Sequence, residues 1–574
     1  MESALRKTSY ASLAFLIIIS FTFIRYYFSG YFPLTPDETN YWQWGRHLAW
    51  GYHDQAPMIG WLINLSTRFL GHTEQAVRLP SVIMGSIASL YIMLLCIRWF
   101  GAKIAFHTSI LSQGVLIFFV GGVLATADAV QAAGWAGATY HIAIAYENDR
   151  WRNWLLGGFW FGIGILGKFS MGIFLPCAFL FGLFSGEYRS RLAGIKPYAG
   201  VFLGFLMFVP VLVWNGLNGW SSLRHVAYLG GANEKAAINI GFFLEYLGSE
   251  AMLLTPVVFI MCIIAWWKSV SGKKHRNNLR IRYLFYTSFP MFAFFMILSL
   301  HTRVYGNWPA PAYLTACILI ALFFHPEKKS RAIKEHIPAE EIPELLNPLD
   351  ENISVSHDSS SEVDDNTTPE ITPDTSAKND ENTTKESIQE IKHGKTRDVW
   401  NFALVTAYLI TSIVAVQTAW QALPLPGKLD RTARETTGWK ELGSNVDAIL
   451  KKMPSPDNTF IFGFRYQIAS ELAFYTPGQP ETVSINKWNR PNVYDYWFTD
   501  EMLKGKDAVG VTDRSPTEYL ARLYTVFERV DQPVEVNIVS KGKEIQNFYI
   551  FRAYGFKGGL RWEPVNKEDV RSIK

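Results

Sequence analysis

A polytopic α-helical membrane protein with a soluble α/β domain at its C-terminal end is the fold class the sequence predicts. Two observations carry the membrane part. The 574 residues are 49% hydrophobic and only 18% charged, against about 25% charged in soluble chains. The apolar residues are also clustered. Ser9–Ile24, Leu79–Leu95 and Gly241–Trp267 are long enough to cross a ~30 Å hydrocarbon core at 1.5 Å per residue. A third observation separates the C-terminal end. Beyond residue 421, short β-prone runs at Thr459–Phe462, Ala508–Val511 and Phe548–Phe551 alternate with amphipathic stretches such as Trp439–Lys452, the pattern of a small α/β domain.

Taken in order, the first run follows Arg6 and Lys7 but lacks a small-residue cleavage site. Tyr26-Tyr27-Phe28 and Tyr31-Phe32 come next, an aromatic belt that marks a retained helix rather than a signal peptide. Eleven spans are expected at 9–30, 78–98, 104–123, 128–146, 153–167, 169–185, 198–214, 241–267, 283–300, 308–325 and 399–421, within a total of about 11–13. Alternate loops are basic: Arg98 and Lys103; Arg150 and Arg152; Arg189, Arg191 and Lys196; then Lys268 to Arg282. The positive-inside rule therefore puts the N-terminus in the cytoplasm, and the odd span count puts the C-terminal domain on the outer face. Residues 153–185 read as two short crossings with a turn at Gly167-Lys168.

The expected domains are a catalytic membrane domain over 1–325 with an outward loop at 31–77, an acidic cytoplasmic loop at 326–398, a last helix at 399–421 and the periplasmic domain at 422–574. The middle of 326–398 is too polar to offset its ordering entropy and reads as disordered. A net charge of +4 gives no reason to expect nucleic acid as a partner. Cys96, Cys177, Cys262 and Cys317 all fall in apolar runs and read as small buried hydrophobes.

The chemistry-bearing residues gather in the outward loops. In Thr35-Pro36-Asp37-Glu38-Thr39-Asn40-Tyr41-Trp42, Thr35 and Glu38 have capping-box spacing and Pro36 suits the first helical position. Glu38 is either a catalytic acid or a cap. Asp37, Tyr41 and Trp44 share one face of that helix, which is expected to lie at the membrane interface. A carboxylate at headgroup depth is placed to take a proton from a hydroxyl acceptor. Next comes Trp50-Gly51-Tyr52-His53-Asp54-Gln55-Ala56-Pro57-Met58. His53 and Asp54 are a substrate-binding pair or a polar turn bonded to its own backbone; a metal pair is weakly indicated. Arg78 either binds substrate or snorkels. Asp128 either binds substrate or caps a helix. Lys168, near membrane depth, needs a partner: a phosphate, a glutamate or a backbone carbonyl. Arg303, against the positive-inside trend, points to an anionic ligand or an ion pair. Asn307, Trp308 and Tyr313 complete the polar loops.

These segments together resemble one family, the bacterial relatives of the protein O-mannosyltransferases and of the 4-amino-4-deoxy-L-arabinose lipid A transferase. These are GT-C-type glycosyltransferases using polyprenyl-phosphate sugars. The matching stretches are Pro36-Asp37-Glu38 with Tyr41-Trp42, Tyr52-His53-Asp54 with Pro57-Met58, Arg78-Leu79-Pro80, Thr126-Ala127-Asp128 and Gly162–Lys168. Trp214-Asn215 with Gly219-Trp220-Ser221, Asn307–Tyr313, Gln467–Tyr475 and Tyr494-Asp495-Tyr496-Trp497 follow. Ala56 stands where the family has the first proline of a Pro-Pro pair, and 326–398 has no family counterpart. The resemblance implies a GT-C-like fold and an inverting transfer from a polyprenyl-phosphate sugar donor on the outer face. It implies that the acceptor is a lipid A-type glycolipid, another envelope component or a protein. Asp37 would then deprotonate the acceptor, and Lys168 and Arg303 would neutralise the departing lipid phosphate. No cofactor is required for a monophosphate leaving group held by cations; a divalent metal is compatible but not indicated.

Two other function classes fit a polytopic chain. A lipid or sugar transporter would place ionisable groups near the midplane on broken helices, whereas here the acids lie just outside the spans. A scaffold presenting the outer domain leaves the polar loops 31–77 and 301–309 without a purpose.

Overall fold

The computed structural model describes residues 2–232, 237–325, 376–423 and 431–561, with side chains from residue 9 and, in the third and fourth stretches, from residues 397 and 432. The chain forms two compact units, one built from Met1–Phe323 with Phe402–Lys574 and the other from Phe324–Asn401.

The larger unit opens with α1 (Glu2–Phe28), then α2 (Pro36–Arg46) and α3 (Met58–Leu70) within the segment 31–77. Helices α4 (Glu74–Phe100), α5 (Ala102–Gly114), α6 (Leu116–Gly121) and α7 (Ala127–Asn148) follow. Then come α8 (Trp151–Gly167), α9 (Phe174–Phe184), α10 (Ile195–Leu217) and the short α11 (Ser221–Leu229). Helices α12 (Ile240–Leu254) and α13 (Pro256–Ser271) lead through α14 (Lys273–Arg276) to α15 (Leu279–Tyr286), α16 (Phe289–Leu298) and α17 (Ala312–Phe324). The last long helix is α18 (Ser376–Trp420).

Among the described residues, Ser9–Phe28, Glu74–Phe100, Ile195–Leu217, Leu279–Leu298 and Arg397–Trp420 are long and apolar enough to cross a membrane, and the α12–α13 pair makes a sixth if counted as one span. The remaining expected spans are helical but shorter or more polar. Two differ from expectation in shape. Segment 104–123 splits at Val115 into α5 and α6. Segment 241–267 bends by 105° at Thr255, whose φ of 68° precedes a proline that disfavours the helical region. Segment 153–185 is two helices, as expected, because Lys168 is extended (φ −150°, ψ 135°). The α8–α10 crossing is close: a Cβ on Gly158 would lie 1.9 Å from the Gly200 carbonyl oxygen, so only small residues permit the approach. The expected loop 326–398 lies outside the described residues up to 375; from Ser376 onward the backbone is already helical, well before the expected start at 399.

The soluble part carries α19 (Arg431–Thr436), α20 (Trp439–Leu450), β1 (Thr459–Gly463), α21 (Tyr466–Tyr475) and β2 (Thr482–Ser484). It continues with α22 (Asp500–Leu503), β3 (Asp507–Thr512), α23 (Pro516–Val526), β4 (Phe527–Val530), β5 (Val534–Ser540) and β6 (Lys543–Phe556). Parallel pairing joins β2, β1 and β3, and β6 adds antiparallel to β3. Tyr549 of β6 faces both Thr512 and Glu535, so β4 and β5 share the other edge of β6. This is the small α/β domain the sequence predicts. Its helix α21 packs on α2, and one apolar core runs from Leu34, Trp42, Trp44 and Tyr52 through Trp439 and Leu472 to Ile550.

Candidate active site

The site is built where α2, the loop after it, the start of α7 and the turn after α8 meet α21. Helix α2 starts as the spacing predicts, with Thr35 as N-cap and Pro36 at the first position. Glu38 completes the capping box with Thr35: its Oε2 accepts the Thr35 N–H at 2.9 Å, and the Thr35 hydroxyl donates to it as well. The same carboxylate holds Arg78 by two bonds of 2.7 Å and accepts the Ala125 N–H at 2.8 Å. Arg78 spends its other donors on the carbonyls of Ser29, Phe32 and Pro33, and its guanidinium lies 3.9 Å from the centre of the Phe32 ring. Both side chains are 0% exposed. Glu38 and Arg78 are thus a buried brace that ties three outward segments together. They are not free to act as catalytic acid or substrate ligand, and Arg78 does not snorkel.

With Glu38 committed, Asp37 is the exposed carboxylate of the pair. Helix α2 is not the exposed interfacial helix expected; most of its residues are buried under α21. Tyr41 and Trp44 do share a face, with ring centres 4.8 Å apart. The Tyr466 hydroxyl of α21 donates to Asp37 Oδ1 at 3.3 Å. Tyr41 locates the convergence point. Its phenol is held well above its usual range by burial and then by Asp37, Asp128, Tyr466 and Asp54. Burial, Asp37 and Asp54 raise Tyr466 in the same way. Asp37, Asp54 and Asp128 thus all act on Tyr41, and Asp37 and Asp54 act on Tyr466 as well.

Asp128 does not cap its helix; Thr126 occupies that position. Asp128 Oδ1 instead accepts from Lys168 Nζ at 2.6 Å, and Oδ2 from Asn307 Nδ2 at 3.0 Å. The Lys168 ammonium also lies 6.0 Å from the Trp308 ring centre. Lys168 thus has the partner its depth demands, and two of its three N–H donors remain. Arg303 stands apart: it is 59% exposed and paired with Glu245, the ion-pair alternative. Tyr313 also points elsewhere, donating at 2.6 Å to Glu250 in the helical core.

His53 and Asp54 do not form a turn bonded to its own backbone. They gather His225 of α11, and ligand atoms of the three lie within 4.8 Å of one another. The His53 and His225 rings are 4.9 Å apart. His53 Nδ1 and Asp54 Oδ2 are buried with no hydrogen-bond partner. Burial pushes His225 down to about 4, with His53 and Arg490 acting in the same direction against Asp54, so its imidazole is neutral at physiological pH. Two imidazoles and a carboxylate suit zinc or a similar first-row divalent ion. Gly51 shapes the adjacent wall: a Cβ there would meet Trp214 at 2.9 Å, and Trp214 in turn lies 5.4 Å from Tyr496. His225 and Tyr466 are the site residues sequence reasoning missed. His225 has no ligand spacing to His53, and Tyr466 immediately precedes the Gln467–Tyr475 stretch without any polar signature of its own.

Residues 54–214 match the family described as dolichyl-phosphate-mannose-protein mannosyltransferase. With the described helices and the sheet-bearing domain, this match makes the chain a multi-pass membrane glycosyltransferase of the GT-C fold class. Among particular proteins, the chain is similar to the lipid A galacturonosyltransferase RgtD of Rhizobium johnstonii, at 24% identity over 345 residues, covering 58% of this chain and 70% of that one. Its fold is similar to that of ArnT from Cupriavidus metallidurans in the apo state, with a TM-score of 0.56 at 14% identity over 93% of this chain and 97% of that one. The likeness extends to the ArnT structure bound to undecaprenyl phosphate, with a TM-score of 0.57 at 13% identity over the same shares.

Proposed function

We propose that this chain transfers a sugar, with inversion, from a polyprenyl-phosphate donor to a lipid A-type glycolipid on the outer face of the membrane. The convergence of Asp37, Asp54 and Asp128 on Tyr41, beside the Lys168 ammonium, is the observation that carries this reading. Asp37, in contact with Tyr466, takes the proton of the acceptor hydroxyl. The hydroxyl oxygen attacks the anomeric carbon, and the carbon–oxygen bond to phosphate breaks with its electron pair leaving on the lipid phosphate. Lys168, steadied by Asp128, uses its remaining donors on that phosphate, which a dry site rewards. Arg303 has no part in this reading. Asn307 and Trp308 hold the Lys168–Asp128 pair in place. The named homologues support the donor and acceptor classes: one acts on lipid A and the other binds undecaprenyl phosphate. Nothing among the comparisons supports a transporter.

His53, Asp54 and His225 would hold a divalent cation, which supplies Lewis-acid charge stabilisation when bound. His225→Ala should lower the metal retained by the purified chain, read by elemental analysis, by about one equivalent per chain. Because His225 protonates only near pH 4, retention by this residue should persist at pH 6. Equal metal in both proteins at neutral pH would remove the assignment.

The reading is tested by reconstituting the full chain with lipid A and undecaprenyl phosphate-linked galacturonic acid. The expected product is a galacturonosylated lipid A whose anomeric configuration is opposite to that of the donor. A retained configuration would sink the inverting mechanism, and no transfer to any lipid A acceptor would sink the acceptor class.

A further inference from the structure

In the soluble domain β1 lies between β2 and β3, and all three run parallel. The chain leaves the ends of β1 and β3 toward opposite faces of the sheet. After β1 it enters α21, whose Ile468 and Leu472 share one core with Ile461, Val509 and Ile550. After β3 it enters α23, whose Tyr519 and Leu523 pack with Phe462 and Ala508 in a separate core on the other face. Neighbouring parallel strands with diverging connections leave a crevice outside their carboxyl ends, and open α/β sheets bind ligands in such crevices.

Strand alternation sets what lines the crevice on the α21 face. Ile461 of β1, Val511 of β3 and Phe548 of β6 point to that face. Continuing each alternation past its apolar run brings Arg465, Asp513 and Gln546 to the same side. They meet across the crevice. Arg465 Nη2 donates to Asp513 Oδ2, and Gln546 Nε2 donates to the same oxygen at 3.3 Å. The other oxygen, Asp513 Oδ1, is buried and has no hydrogen-bond partner among the described residues, and neither has Arg465 Nε. A buried donor and a buried acceptor left unpaired cost stability, and native interiors hold few of them. The arginine side chain keeps 32% of its surface exposed, so it can swing outward and uncover both atoms. The next residue, Tyr466, donates to Asp37 Oδ1 at 3.3 Å, which puts the crevice beside the proposed base.

One open donor next to one open acceptor matches a hydroxyl group, which both gives and takes a hydrogen bond. A bare anion would be repelled by the Asp513 carboxylate and a bare cation by the guanidinium. We propose that Arg465, Asp513 and Gln546 form a carbohydrate subsite that binds hydroxyls of a sugar ring on one of the two reacting molecules. The inference rests on the transfer reading above and adds specificity-determining residues to it. The ring has two sources: the headgroup of the glycolipid acceptor, or the sugar carried by the donor.

The experiment measures binding to the full-length chain in detergent with two pairs of probes. Lipid A is set against phosphatidylglycerol, and undecaprenyl phosphate-linked galacturonic acid against undecaprenyl phosphate. The Arg465→Met/Asp513→Leu double variant removes both partners together, a change that is nearly neutral for folding, and melting checks this. It should lose roughly ten- to hundredfold in affinity for a sugar-bearing probe and bind the sugar-free partner as the wild type does. Loss on lipid A assigns the acceptor headgroup, and loss on the galacturonate donor assigns the donor sugar. Arg465→Lys keeps an ion pair with Asp513 but has no Nε donor. It should show the same selective loss at smaller size, and it carries the test if the double variant melts early. Unchanged binding of both sugar-bearing probes, or an equal loss on the sugar-free ones, would overturn the subsite. A wild type that binds neither sugar-bearing probe would overturn the transfer reading and the subsite with it.

Discussion

Asp37→Asn should cut sugar transfer by roughly 10²–10⁴-fold, the contribution of a positioned general base, while the protein folds and inserts as before. The amide keeps the shape of the carboxylate and can still accept the Tyr466 hydroxyl, but it cannot take a proton from the acceptor. The stability cost should be small. Asp37 sits in the first turn of α2, where a negative charge contributes about 0.3–1 kcal/mol through the helix dipole. The neighbouring Glu38→Gln change should do the reverse, damaging folding before it damages chemistry. Measuring labelled-sugar transfer and thermal melting on both purified variants separates the two carboxylates. Near-wild-type transfer by Asp37→Asn would end its assignment as the base.

Arg78→Ala should be the most damaging single substitution for the fold. A buried ion pair is not itself a large source of stability, because desolvation offsets the attraction. Removing one partner, however, costs about 3–5 kcal/mol by stranding the other charge. Here the loss also strands three carbonyl acceptors, those of Ser29, Phe32 and Pro33. No second acid carries the balance: Glu471, pushed well above the usual carboxylate range by burial and by Glu38, is neutral. Arg78→Lys should rescue little, since an ammonium has three donors where this position uses a planar fork. The expected readout is poor recovery of the variant from membranes and a lowered melting temperature. A variant that melts with the wild type would show that the brace is dispensable.

Much of this architecture is legible in the sequence because its signals are local. Apolar runs mark α1, α4 and α10; Thr35-Pro36 and Glu38 mark the start of α2; alternation marks the strands of the last domain. The rest is not legible because it depends on pairs brought together across long separations. Glu38 and Arg78 are 40 residues apart, so their spacing carries no message until α2 and α4 are packed. Asp128 with Lys168 reads as a cap and an uncomfortable lysine, and only the extended turn at Lys168 turns them into a pair. Arg303 reads as a ligand for an anion because its partner Glu245 lies on a different element, 58 residues away. His225 is silent for the same reason. The helix face that predicts an interfacial α2 is real in its periodicity, but what covers that face is the soluble domain rather than lipid.

The single core that runs from the outward loop into the sheet has a consequence for how the protein is made. The Leu34 N–H donates to the Tyr475 hydroxyl across 441 residues, and Gln43 reaches Tyr494 across 451. Such contacts span most of a 574-residue chain, and contacts of high separation form late, because loop closure must precede the reward. A ribosome has released the carboxylate of Asp37 long before it makes Tyr466. Until then the aromatic side of α2 lacks its cover from α21. Competence therefore comes late in biogenesis: the face proposed to carry the chemistry is finished only when the last part of the chain docks on the first.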